Sequence, residues 1–130
     1  MIDLEKLKGL LGNTEGLILV SGLDLSELLK LLANDPRQVV ALSREVQHGS
    51  QSISSAAHLR ALLKHNHDVI IIELLEDVQV IKIAMQAAMT GHLVVAGFEA
   101  VDEESAREKL KQMDIDPFLV SSSLIGFIVS

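Results

Sequence analysis

Five short runs of aliphatic and β-branched residues punctuate this chain: Leu17-Ile18-Leu19-Val20, Val39-Val40-Ala41-Leu42, Val69-Ile70-Ile71-Ile72, Leu93-Val94-Val95 and Leu124 to Val129. None alternates apolar with polar residues. A strand with one wet face alternates, whereas a strand covered on both faces reads as an unbroken apolar run. The stretches between the runs have helical periodicity. Strand and helix therefore alternate, which predicts a largely parallel sheet with right-handed crossovers. The expected fold is α/β and three-layered, with a mostly parallel five-stranded sheet. The 130 residues, without repeats or a linker, suit one domain over 1-130.

The helical stretches carry their own punctuation. Leu4, Leu7 and Leu11 form one stripe, and Leu25, Leu28, Leu29 and Leu32 form another. The second begins at Asp24 with Glu27 three residues later, a capping box, and stops at Asn34-Asp35-Pro36. Ser52 opens a third, with Ile53, Ala56, Ala57 and Leu63 inward. Asp77 caps a fourth, striped by Ile81, Ala84, Met85 and Ala88 and stopped by Gly91; Met85 and Met89 read as core. Asp102, Glu103 and Glu104 start a fifth that carries Lys109 and Lys111 in its last turns, both ends matched to the helix dipole. Asp116-Pro117 begins a short sixth helix.

Composition removes several function classes. With 11 Lys+Arg against 18 Asp+Glu the net charge is −7, so phosphate backbones and anionic membranes are repelled and nucleic acid is not an expected partner. There is no Cys, hence no disulfide or thiolate metal site, and the absence of Trp and Tyr leaves no stacking platform for bases. No apolar run approaches the roughly 18 residues of a membrane span, and no basic segment followed by an apolar one opens the chain. The expected location is cytoplasmic.

Four ordered stretches carry a family resemblance. Glu15 to Gly22 looks like the strand leading into the P-loop of the type II secretion and type IV pilus assembly ATPases. Asp68-Val69-Ile70-Ile71-Ile72 looks like their Walker B strand. Ile83 to Val94, with its Met89-Thr90-Gly91-His92, is close to the signature that follows it, and Asp114 to Gly126 resembles the segment beyond the family's His box. The resemblance implies a RecA-like P-loop NTPase core with strand order 5-1-4-3-2. It lies on the chain from about Gly16 onward.

The residues at the family's catalytic positions differ. A P-loop, G-x-x-x-x-G-K-S/T, needs glycines so that backbone N–H groups wrap the phosphates, Lys for their charge and a hydroxyl for Mg²⁺. Here Gly22 is followed by Leu23-Asp24-Leu25-Ser26-Glu27-Leu28-Leu29. Aligned without a gap, Leu28 stands at the Lys; aligned with one, the loop is deleted and the strand enters a capped helix directly. The short distance to Val39 favours deletion. After the Walker B strand the family's Gly-Glu is Glu73-Leu74, its acidic box is Ser43-Arg44-Glu45, and its Thr-Leu-His is Gly97-Phe98-Glu99. The Arg beyond Walker B is Glu76, and Asp77 persists. Asp24, Glu73, Glu76 and Glu99 would each oppose a phosphate about 5 Å away by roughly 3 kcal/mol at an effective dielectric near 20. Lys30 is the one nearby cation, on a helix face. These readings predict no catalytic, nucleotide-binding or metal residues, no cofactor and no enzymatic activity.

Other signals have plainer explanations. His65 and His67 face different ways on a helix end and read as surface rather than as metal ligands. His92 reads as a strand-start hydrogen-bonding residue, Ser121-Ser122-Ser123 as a helix end, and Ser50 to Ser55 as a loop and cap. The expected function is a motor relative working through protein contacts as a regulator or scaffold. The alternative is a sensor that takes a nucleotide or divalent metal without turnover. The partner is expected to be a secretion or pilus motor component, with a homodimer possible through the last strand. There Leu124 and Ile128 are expected on one face and Ile125, Phe127 and Val129 on the other, at an edge with no Lys or Pro gatekeeper where the chain stops at Ser130.

Overall fold

The computed structural model describes residues 3–43 and 55–129. The expected helix start at Ser52 with Ile53, the loop from Ser50, and Arg44 and Glu45 lie outside the described residues. The strands are β1 (Gly16–Ser21), β2 (Val39–Leu42), β3 (Val69–Ile72), β4 (Leu93–Gly97) and β5 (Leu124–Val129). The helices are α1 (Leu4–Leu11), α2 (Leu25–Leu31), α3 (Ser55–Leu62), α4 (Val78–Ala88), α5 (Glu103–Gln112) and α6 (Pro117–Ser123). All strand pairs are parallel, in the order β2-β3-β4-β1-β5, which is the implied order read from the other edge.

The unbroken apolar runs serve two cores. Along β1, Leu17 and Leu19 face one cluster while Ile18 and Val20 face the other; along β3, Ile70 and Ile72 oppose Val69 and Ile71 in the same way. Ala56, Leu59, Ile81, Ala84, Met85, Ala106, Leu110 and Val120 cover the first face from α3, α4, α5 and α6. Leu7, Leu11, Leu28 and Leu32 cover the second from α1, α2 and its cap. A side chain of this kind contributes about 1.5–3 kcal/mol when fully buried, so the sheet is held from both sides.

The acidic caps are where the sequence places them. Asp24, Asp77, Asp102 and Asp116 each accept a backbone N–H from the first turn of their helix, at 3.2, 2.7, 2.8 and 2.9 Å. Some inward positions need correction. Leu29 and Met89 are 41% and 38% exposed, and Ala57 is exposed while Leu59 fills the core instead. Met89 has moved past the buried stripe because α4 ends at Ala88 and Met89 is its C-cap.

The last strand also departs from simple alternation. Leu124 pairs with Leu17 but Gly126 pairs with Ile18, so Ile125 is an extra residue and shifts the parity of everything after it. Leu124 and Phe127 consequently share the α4–α6 face, and Ile128 joins the α1–α2 face. The expected grouping of Leu124 with Ile128, and of Ile125 with Phe127 and Val129, is corrected on that ground. Gly126 lies under Leu10 of α1, and Ile125 leans over Gly16. Ile125 and Val129 are 39% and 43% exposed. The edge does have a lysine: Lys6 Nζ donates to the Phe127 carbonyl at 2.8 Å. Even-numbered β1 residues point their backbone groups at β4, as Val20 does in accepting from Phe98 N, so Phe127 presents its carbonyl to the outer edge.

Candidate functional site

In an open parallel sheet a ligand crevice forms beyond the carboxyl ends of the strands. Here β1 ends at Ser21, Gly22 turns the chain at φ +78°, and α2 begins at Leu25 with Asp24 as its N-cap. Only Gly22, Leu23 and Asp24 separate strand from helix, fewer than a G-x-x-x-x-G-K-S/T loop holds. The positive end of α2 faces its own carboxylate, since Asp24 Oδ1 accepts from Glu27 N.

The neighbouring strand end is covered by the chain itself. Leu75 N donates to Gly97 O at 2.7 Å, so the segment after β3 crosses the end of β4. The approach is close: a Cβ on Gly97 would lie 2.1 Å from Glu73 O and 3.4 Å from Leu23 Cβ. Leu75 is buried beneath the crossing, and Ser43 Oγ donates to Glu73 Oε1 at 3.1 Å. Glu76 and Glu99 are exposed at the same pole.

The structure adds a cation that sequence reading did not find. Lys109 of α5 reaches back to donate to the Glu99 carbonyl, and its ammonium sits 5.2 Å from the Phe98 ring centroid. Lys30 is therefore not the one cation near this pole. With Ser21, Glu99, Val101 and Ser105, Lys109 lines an open hollow of about 430 Å³. Ser21 Oγ is fixed there by accepting from Ala100 N at 3.3 Å. A single ammonium, two hydroxyls and a carboxylate suit a small polar group. They do not form the row of backbone N–H donors that a triphosphate needs. No local signal marks Lys109, whose place near a helix C-terminus already accounts for its charge.

At the opposite pole His65 and His67 follow α3, their rings 6.0 Å apart and edge-on, and His92 Nδ1 lies 3.1 Å from Ala87 O. Among the described residues no three His, Asp or Glu side chains are placed to hold a metal ion. No helix among them is long and apolar enough to cross a membrane.

Comparison with known proteins accounts for this architecture. A family model described as "Type II/IV secretion system protein" matches residues 29–130. The type II secretion system protein HxcR of Pseudomonas aeruginosa is 31% identical over 143 aligned positions, covering 96% of this chain and 30% of that protein. The type IV pilus assembly ATPase PilB of Thermus thermophilus is 28% identical, over 95% of this chain and 16% of its own length. Among solved structures, the pilus retraction motor PilT with bound ADP superposes with a TM-score of 0.75 over 96% of this chain and 45% of its own, at 22% identity, a likeness of fold. The chain thus spans 30% or less of these two curated relatives.

The names of the relatives overturn one expectation. PilB and the type II secretion system ATPase E of Vibrio cholerae, 40% identical over 73 residues, are both named as ATPases. The expectation that the chain is no enzyme is corrected: its kinship is with enzymes. It rested on residues at one end of the strands, whereas kinship is carried by the sheet and the helices packed on it.

Proposed function

Because this chain belongs to the type II/IV secretion system protein family, we propose that it serves a type II secretion or type IV pilus machine through protein contacts, as a regulator or scaffold of a related motor. The observation that supports this reading is the carboxyl pole of the sheet, which the chain itself covers. The motor sheet keeps its order while Leu23, Leu75 and the Leu75–Gly97 hydrogen bond occupy the end of β4. The exposed Ile125 and Val129 beside the outer edge of β5 are where we place the contact with that motor, as apolar side chains that a partner surface would cover, since Lys6 already holds the outward carbonyl of Phe127. The test is to mix the purified chain with a secretion or pilus ATPase from the same cell. Co-elution, and at least a twofold change in the ATPase's hydrolysis rate, is expected, with both lost in Ile125→Lys. Absence of both with the unaltered chain sinks the reading.

A second reading, a ligand-responsive sensor, is favoured by the hollow at Lys109, whose volume of about 430 Å³ falls in the usual range for small ligands. The two readings separate in a thermal melt. Under the first, Mg–ATP at about 1 mM contributes under ~0.5 kcal/mol, because the dissociation constant lies above that concentration. A shift of several degrees that saturates in the micromolar range, and disappears in Lys109→Ala, establishes the second.

A further inference from the structure

Away from the carboxyl pole, α5 and α6 enclose a groove of about 220 Å³. Its floor is apolar, from Ile115 and Val120, which are 1% and 4% exposed. Its rim is Glu104, Arg107, Glu108 and Lys111, which recur along one face of α5. The volume lies below the roughly 300 Å³ at which ordinary small-ligand pockets begin. It suits a single ring, since a benzene molecule fits an apolar cavity of about 150 Å³.

A ring of that kind stands beside the groove. Phe118, in the first turn of α6, is 74% exposed, and its neighbour Pro117 lines the groove. A knob beside its own hole makes the patch self-complementary, so that about a two-fold axis the same patch meets itself and both knobs are buried. The rim charges point to the same occupant. The chain as a whole carries −7, so two copies repel over an average face. Along this rim two acids and two bases cancel, and antiparallel α5 helices bring Arg107 and Lys111 of one copy to Glu104 and Glu108 of the other. Arg107 donates to Glu103 through Nε at 3.2 Å, a bond that uses one of the five guanidinium N–H donors.

We propose that the α5–α6 groove is a self-association site, in which a second copy of this chain inserts its Phe118 and receives the first copy's Phe118 in return. The test is light scattering coupled to size-exclusion chromatography across a hundredfold range of concentration. The mass is expected to rise from 14.1 kDa toward twice that value with concentration. Phe118→Ser is expected to hold the single-chain mass throughout, and Phe118→Leu to keep the dimer. Glu108→Arg, which leaves the ring in place, is expected to weaken the dimer at least tenfold. Phe118 is exposed, so the far-ultraviolet circular dichroism of the serine variant should match the unaltered chain at low concentration. A single-chain mass for the unaltered protein overturns the proposal, and so does a dimer that survives Phe118→Ser. A dimer lost only in Ile125→Lys overturns it too, by placing the contact at the β5 edge.

Discussion

Arg37 binds together parts of the chain that its sequence position does not suggest. It donates to Asp35 through Nε at 2.9 Å and through a terminal nitrogen at 2.7 Å, and reaches the Leu11 and Asn13 carbonyls at 2.8 and 3.1 Å. The hydrogen bonds from Arg37, first its side chain and then its backbone N–H, hold Asp35 at a pKa of about 2. An unfolded Asp titrates near 3.9, so the folded value is depressed. The stabilisation from this pair is therefore present above about pH 4 and lost as the pH falls toward 2. The urea midpoint of Arg37→Ala should lie below that of the unaltered chain at pH 5, and the gap should narrow on titration to pH 2 without closing, because the two carbonyl bonds do not titrate. A gap independent of pH would remove Asp35 from the account. Asp77 offers a second residue-scale test. It accepts from both Gln79 N and Val80 N, so Asp77→Ala should cost about 1 kcal/mol in denaturant titration, with the urea slope unchanged.

Two glycines show what decides the tolerance of an element. A Cβ at Gly97 would meet the Glu73 carbonyl oxygen, a backbone atom fixed by the Leu75–Gly97 crossing. One at Gly126 would meet the methyl Leu10 Cδ1 at 2.3 Å, the far end of a half-buried side chain. Backbone cannot yield without breaking the crossing, whereas Leu10 can change rotamer. Gly97→Ala should therefore lie at the top of the about 1–3 kcal/mol that overpacking costs. Gly126→Ala should cost distinctly less, partly offset by the about 0.5–1 kcal/mol of backbone entropy that an alanine saves. Equal losses in the two would show that the crossing is not rigid.

At the scale of the molecule, β1, β3 and β4 are covered on both faces and flanked by neighbours, while β2 lies at an edge with Val39, Val40 and Ala41 only half-buried. Amide exchange should be slowest in β1 and β4 and measurably faster in β2. Exchange in β2 as slow as in β4 would mean that the β2 edge is paired. Most of this framework could be read from the chain. The bounds of β2, β3 and β5 and the four acidic caps follow from residues within a few positions of one another. The parallel sheet follows from apolar runs that need cover on both faces, and the ordered motor-like stretches led to the family. What those short-range patterns could not carry is anything fixed through space. The extra residue at Ile125 exists only relative to its pairing with β1, so the faces of β5 could not be assigned from alternation. Lys109 reaches Glu99 and Phe98 because α5 folds back on the segment that follows β4, and Gly97 is constrained because a separate loop crosses it. The groove beside Phe118 has walls from two helices whose spacing no periodicity encodes. Local chemistry thus determined the elements and their kinship, and only packing decided which charges, edges and hollows they present.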